Sequence, residues 1–170
     1  MSSKGITERM HVNPDSLYYR EHVARYEFAR NYINDGPILD IASGTGHGSE
    51  LLHSYCRAMV VGVDVDRPSL TAARRGYSNP RITFLAASGT HLPFQDASFA
   101  AIVSLETIEH IQEDRTFLSE LRRVLRPDGV CIISTPNRLY SLHHDITNPY
   151  HVREYVETEL IELLSSFLDQ

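Results

Sequence analysis

Short, nearly unbroken apolar runs along this chain exchange with stretches in which apolar residues recur every three or four positions, a rhythm of strands and helices. Tyr18, Val23, Tyr26, Ala29 and Ile33 are spaced to share one face of a helix over residues 16–33, with Asn13-Pro14-Asp15 as its cap and Asp35-Gly36-Pro37 as its end. A first strand is expected at 38–42 and a helix from the following glycine turn to Cys56. A second strand covers 59–63 with Asp64 at its end, and Arg67-Pro68 opens a helix that Gly76 stops. Strand three is 82–86. Strand four, 99–105, is apolar almost throughout, as in strands buried on both faces of a parallel sheet. Glu113 and Asp114 begin a helix that closes on Arg122, Arg123 and Arg126, charges that suit the helix dipole at each end. Pro127-Asp128-Gly129 turns the chain into strand five, 130–135. The last helix is expected over 154–167, with Leu160, Leu163, Leu164 and Phe167 on one side, after a long irregular loop over 139–150.

This order predicts an α/β fold: a doubly wound, mostly parallel sheet with right-handed crossovers, whose ligands bind at the carboxyl ends of the strands. At 170 residues, 42% of them hydrophobic, the chain can bury one core and is too short for two typical domains, so residues 1–170 read as a single domain. A net charge of −6 gives no electrostatic reason to expect nucleic acid or an anionic membrane as partner. Residues 1–12 lack the pattern of a secretory leader, and no apolar run is long enough to span a bilayer. Cys56 and Cys131, far apart and in apolar segments, read as reduced core thiols of a cytoplasmic protein.

Candidate chemistry concentrates at residues 38–49, I-L-D-I-A-S-G-T-G-H-G-S. Glycines after a strand leave main-chain N–H groups and a helix start open to a nucleotide-like ligand. Dinucleotides and S-adenosylmethionine both bind at such a turn, and spacing separates them. Gly44, Gly46 and Gly48 make G-x-G-x-G instead of the dinucleotide G-x-G-x-x-G. Asp40 would repel a pyrophosphate and suits a ligand with a positive amino group. Asp64, about 20 residues beyond the turn, is placed to accept hydrogen bonds from ribose hydroxyls.

With those residues in view, the chain resembles the class I S-adenosylmethionine-dependent methyltransferases, which have a Rossmann-like fold. The likeness is carried by I-L-D-I-A-S-G-T-G, V-V-G-V-D-V-D, L-P-F-Q-D-A-S-F-A-A-I-V-S and V-L-R-P-D-G-V. E-T-I-E-H, S-T-P-N-R and N-P-Y-H-V-R-E-Y are similar to the branch acting on small molecules in glycan and natural-product pathways. The resemblance implies S-adenosylmethionine as cofactor and a small-molecule acceptor, such as a sugar or natural-product hydroxyl. It implies cofactor contacts from Asp40, Ala42, Ser43, Gly44, Thr45 and Gly46, and from Asp64 and Val65. Ser88, Gly89 and Leu105 complete that set. Ala42 stands where the family often has Gly, and Ser88 where many members carry Asp against the adenine amino group. Arg25, in a segment similar to one that closes over the cofactor, would pair with the cofactor carboxylate.

The sulfonium already activates its methyl, so the protein must mainly position the acceptor and, for a hydroxyl, remove a proton. His110 is the first choice of base and Glu109 its neighbour, because the turn after strand four faces the methyl group in the family. Glu106, His143, His144 and His151 lie in the same neighbourhoods. His143, His144, Asp145 and His151 are metal-capable, but adjacent His143 and His144 in an extended loop would point apart. That stretch therefore reads as a substrate-covering loop, and no metal ligand is assigned.

Full members of the family continue with a further strand pair after the last helix. The expectation here is a C-terminally truncated form, or an open sheet edge at strand five that pairs with a second copy as a homodimer. Two other readings stand beside the methyltransferase: a non-catalytic cofactor-binding or scaffolding module, and a nicotinamide-dependent oxidoreductase.

Overall fold

A computed structural model describes residues 16–168 and runs α1 (Leu17–Ala29), β1 (Ile38–Ile41), α2 (His47–Cys56), β2 (Val60–Asp64), α3 (Arg67–Gly76), β3 (Ile82–Ala86) and β4 (Phe99–Leu105). It continues through α4 (Asp114–Val124), β5 (Leu125–Ser134), α5 (Arg138–His143) and α6 (Glu157–Leu168). The Asn13-Pro14-Asp15 cap and the reading of 1–12 lie outside the described residues; α1 is capped by Ser16, whose Oγ accepts from the Tyr19 N–H at 3.1 Å.

All strand pairs are parallel, in the order β3-β2-β1-β4-β5. Side chains alternate between two apolar faces. Ile38, Ala101 and Val103 pack with Tyr26, Ala29 and Leu52 under α1 and α2. Leu39, Ile41 and Ile102 pack with Phe117, Leu118, Leu121 and Leu163 under α4 and α6. Each such buried Leu or Ile contributes about 1.5–3 kcal/mol relative to exposure, so the sheet is held from both sides. α3 makes a smaller cluster of Leu70, Ala73, Ile82 and Phe84. No helix among the described residues is long and apolar enough to cross a membrane. Cys56 and Cys131 are free thiols, and burial pushes the Cys131 thiol up to about 12.

Several expected boundaries move, each for a packing reason. The first helix leaves α geometry at Ala29 and ends in a 3-10 turn, Arg30–Tyr32. Tyr18 is 80% exposed, whereas Tyr26 and Ala29 are buried and Tyr19 lies against His47. Tyr18 is one residue out of phase with that stripe. Ala42 has left the strand, with φ of 57°. Leu125 and Arg126 belong to β5, because Leu125 is buried opposite Phe99. Between that pair and Ala101 opposite Val130 the register slips, so Pro127-Asp128-Gly129 is a bulge within the strand instead of a turn before it. The 139–150 loop contains α5, and α6 begins at Glu157 instead of 154. Tyr155 is held ahead of it by a bridge to Asn137 and by its hydroxyl, which donates to Asp114 at 3.0 Å.

Asp40 sits at the junction of these elements, fully buried on the α1/α2 face of β1. The Tyr26 hydroxyl donates to its Oδ1 at 3.0 Å and the Ser49 hydroxyl to its Oδ2 at 2.6 Å. Gly48 is required beside them, since a Cβ there would overlap the Tyr26 ring. Burial pushes the Asp40 carboxyl up to about 6 against the opposing pull of those two hydrogen bonds. His22, one turn before Tyr26, moves the other way: burial, then the charges of His47 and Arg25, lower it to about 4.

These shifts act oppositely on stability. Asp40 holds its proton more tightly folded than unfolded, so its contribution is present at low pH and is lost as pH rises from 3.8 through about 6. His22 resists protonation when folded, so its contribution is present above 6.5 and is lost as pH falls toward about 4. Replacing His22 with Gln removes the second effect. Between about pH 7 and about pH 5 the variant should lose less stability than the parent, by roughly 1–3 kcal/mol in urea unfolding. Equal losses would show that His22 titrates normally. Tyr26→Phe should lower the unfolding free energy by about 1–3 kcal/mol at neutral pH, since a buried carboxylate oxygen loses its donor; an unchanged midpoint would remove Asp40 from its place as the junction.

Candidate active site

The strand order reverses at β1, where β2 and β4 flank it, and in open α/β sheets the crevice outside the carboxyl ends at such a switch point is where ligands bind. On the β1 side the glycine turn is built by unequal glycines. Gly44 has φ of 54° and no protein atom within 4 Å of where a Cβ would lie, so it faces open space. Gly46 has φ of 87° and caps α2, and a Cβ there would meet Phe84 at 2.5 Å. Gly46 and Gly48 therefore let α2 approach its neighbours, and Gly44 alone of the three leaves room for a ligand. Ala42 and Thr45 are exposed on the turn, while the Ser43 Oγ is buried without a hydrogen-bond partner among the described residues.

Asp64 closes the turn from β2. Its Oδ2 accepts the Gly44 N–H at 2.8 Å and its Oδ1 the Asp66 N–H at 2.8 Å. Val65 beside it is 73% exposed, an apolar surface next to a carboxylate. The Ala87 N–H donates to the Asp64 carbonyl at 3.1 Å, which brings the turn after β3 to the same edge. In that turn Ser88 Oγ accepts the Thr90 N–H at 3.2 Å and lies 2.8 Å from the Thr90 hydroxyl, while Gly89 packs on Phe117. Asp40 lies beneath the turn and not in it; both its oxygens are committed to Tyr26 and Ser49. Each oxygen keeps a lone pair, and it is complete burial that holds Asp40 back from a ligand amino group.

The β4 side carries two further carboxylates, Glu106 and Glu109. After half-buried Leu105, Glu106 turns the chain with φ of 49°, a left-handed conformation costing about 1–2 kcal/mol for a residue with a Cβ. Its N–H donates to the Ser134 carbonyl at 2.9 Å, and the Ser134 hydroxyl donates to its Oε1 at 2.7 Å. Arg25 Nε lies 3.4 Å from that same oxygen, so Arg25 is engaged with the β4 edge. Ile108–His110 form a 3-10 turn that buries Glu109 completely. The Thr135 hydroxyl donates to Glu109 Oε2 at 2.8 Å; Oε1 is buried with no hydrogen-bond partner among the described residues. Burial raises the Glu109 carboxyl above its usual range. His110 Nδ1 lies 3.0 Å from the Tyr150 carbonyl and its Nε2 4.0 Å from Glu109 Oε1.

The sequence grouping of metal-capable residues does not hold. His143 ends α5, and its ring packs edge-on against exposed His144, which also meets Tyr140. His151 instead folds back on the β4 turn, its ring centroid 5.0 Å from that of His110. Three aromatic residues not singled out in the sequence gather beside the start of α2. Tyr19, His22 and His47 stack near the glycine turn, with ring centroids 5.2 Å apart for Tyr19 and His47 and 6.1 Å for His22 and His47. The Nε2 atoms of His22 and His47 are buried without hydrogen-bond partners among the described residues. Their signal was present: His47 interrupts the glycines, and Tyr19, His22 and Tyr26 are spaced three and four apart.

Comparison with known proteins agrees with this geometry. Residues 39–133, more than half of the chain, match the family model described as a methyltransferase domain. A probable S-adenosylmethionine-dependent methyltransferase of Mycolicibacterium smegmatis is 34% identical over 154 residues, covering 89% of this chain and 59% of that protein. One from Mycobacterium tuberculosis is 33% identical over 159 residues, covering 91% and 57%. This chain thus spans under two thirds of the length of these relatives. The YcgJ protein of Bacillus subtilis superposes with a TM-score of 0.73 at 22% identity, over 86% of this chain and 67% of that one. The strand order, the glycine turn closed by Asp64 and the match over residues 39–133 converge: this chain belongs to the methyltransferase domain family.

Proposed function

We propose that the chain binds S-adenosylmethionine at the glycine turn and transfers its methyl group to a hydroxyl of a small acceptor, such as a sugar or natural product. The observation that carries this reading is Gly44, open to the crevice and with its N–H drawn toward the Asp64 carboxylate. A ligand lying there meets main chain on one side and a ribose-accepting carboxylate on the other. Val65 offers an apolar face to the adenosine, and Ser88 and Gly89 border the adenine end. Ala42, Ser43, Thr45 and Gly46 surround the methionyl part. Leu105 and the Arg25–Glu106 pair close the crevice toward β4.

The bound cofactor supplies an activated methyl group, and the chain supplies position. Glu109 and His110 follow β4, beside the strand that carries the glycine turn; of the two, partly exposed His110 can meet an acceptor, with buried Glu109 behind it. His110, with Nδ1 turned to the Tyr150 carbonyl, presents Nε2 toward Glu109 and is our candidate to orient or deprotonate the acceptor hydroxyl. Incubating the full chain with methyl-labelled S-adenosylmethionine and a panel of sugars and phenols should move label onto oxygen; label on nitrogen or carbon alone would overturn the hydroxyl assignment.

Asp64→Ala should weaken S-adenosylmethionine binding by about 1–3 kcal/mol, roughly 5- to 150-fold in Kd. Calorimetry on the folded variant checks this. Unchanged affinity would take Asp64 out of the cofactor site.

A further inference from the structure

We propose that Glu109, His110 and His151 bind a divalent metal ion of the zinc class at the carboxyl edge of β4. Each offers one ligand atom, and these atoms all lie within 4.8 Å of one another. Metal–nitrogen and metal–oxygen bonds of about 2.0–2.2 Å put any two ligands of one ion within roughly 4.4 Å, so small side-chain adjustments suffice. Two histidines with one carboxylate are also a donor set used by ions that keep open positions for substrate.

A second observation points to the same place. Glu109 Oε1 is buried and has no hydrogen-bond partner among the described residues, although Thr135 fixes the other oxygen at 2.8 Å. A buried carboxylate oxygen left without a partner costs stability, and the 4.0 Å gap to His110 Nε2 is too long for a hydrogen bond. A cation beside Oε1 would supply the missing partner.

The imidazoles are oriented for ligation. His110 Nδ1 faces the Tyr150 carbonyl at 3.0 Å, and a carbonyl only accepts, so Nδ1 carries the proton and Nε2 the lone pair. His151 Nδ1 lies 2.6 Å from Glu154 Oε1 and donates to that carboxylate, while Nε2 accepts from the Asn148 amide at 2.9 Å. An ion would take the place of that amide. A carbonyl or carboxylate on the far nitrogen is the arrangement that fixes metal-bound histidines. The Val152 and Arg153 N–H groups both donate to the Glu109 carbonyl, at 2.7 and 3.2 Å, so the loop bearing His151 is pinned to the turn bearing the other two. The His110 side chain, 32% exposed, gives an ion its path in.

The ion's use, though not its site, rests on the methyl-transfer reading: it would hold an acceptor oxygen beside the donor, and His110 would then act through the ion. The full chain, stripped with a chelator, is titrated with Co2+ followed by visible absorption and with Zn2+ followed by calorimetry. One ion should bind. His151→Asn and Glu109→Gln should each weaken it at least about 10-fold, and His143→Ala with His144→Ala should leave it unchanged. Because Glu109 is buried, the His151 variant decides if the Glu109 variant does not fold. Absence of binding, or binding unaffected by His151→Asn, overturns the proposal. S-adenosylmethionine binding measured on the same samples separates the two readings: cofactor without metal sinks only the ion, and metal without cofactor sinks only the methyl transfer.

Discussion

A carboxylate buried beneath the glycine turn organises this molecule. Asp40 belongs to β1, yet its oxygens are satisfied from α1 through Tyr26 and from α2 through Ser49. Three elements that follow one another along the chain thus share one ionisable group, in a place where an uncompensated charge would be prohibitive. Because α2 begins at the turn, its position sets that of Gly44; because α1 packs over α2, the same contact brings Tyr19 and His22 to His47 and Arg25 to Glu106. The turn has its open shape because its underside is fastened.

Strain collects at the other face of that arrangement. Ala42 and Glu106 both adopt left-handed backbone, one directly after β1 and the other directly after its neighbour β4. Neither is glycine. Each conformation persists because adjoining hydrogen bonds enforce it: Ser43 N–H to the Val63 carbonyl at 3.0 Å, and Glu106 N–H to the Ser134 carbonyl at 2.9 Å. Arg57, Ala97 and Asp145 share that backbone elsewhere in the chain, whereas Ala42 and Glu106 follow two adjacent strands of the sheet.

The strands were legible because their signal is local. Residues 82–86 and 99–105 are apolar runs bounded by turns, and the structure gives the same limits for β3 and β4. The helix ends and the 139–156 segment were less so, because burial elsewhere decides them: Leu125 joins a strand to meet Phe99, and Tyr155 is held by Asp114, 41 residues away. Gly44 and Asp64, candidates on spacing, are brought together by a hydrogen bond of 2.8 Å. The difference among the three glycines could not be read from spacing, since it depends on where Phe84 and Tyr26 lie. Nor could the pairing of His151 with Glu109 and His110, which spacing along the chain disguised as a cluster with His143 and His144.

The two hydrogen bonds from Val152 and Arg153 to the Glu109 carbonyl have a mechanical consequence. The loop bearing His151 is tied by its main chain to the turn bearing Glu109 and His110. Side chains in the loop can vary without disturbing those bonds, but a change in its length or backbone path pulls on Glu109. Substitutions along this loop therefore leave its anchor in place, whereas an insertion would shift Glu109 and His110 together with it.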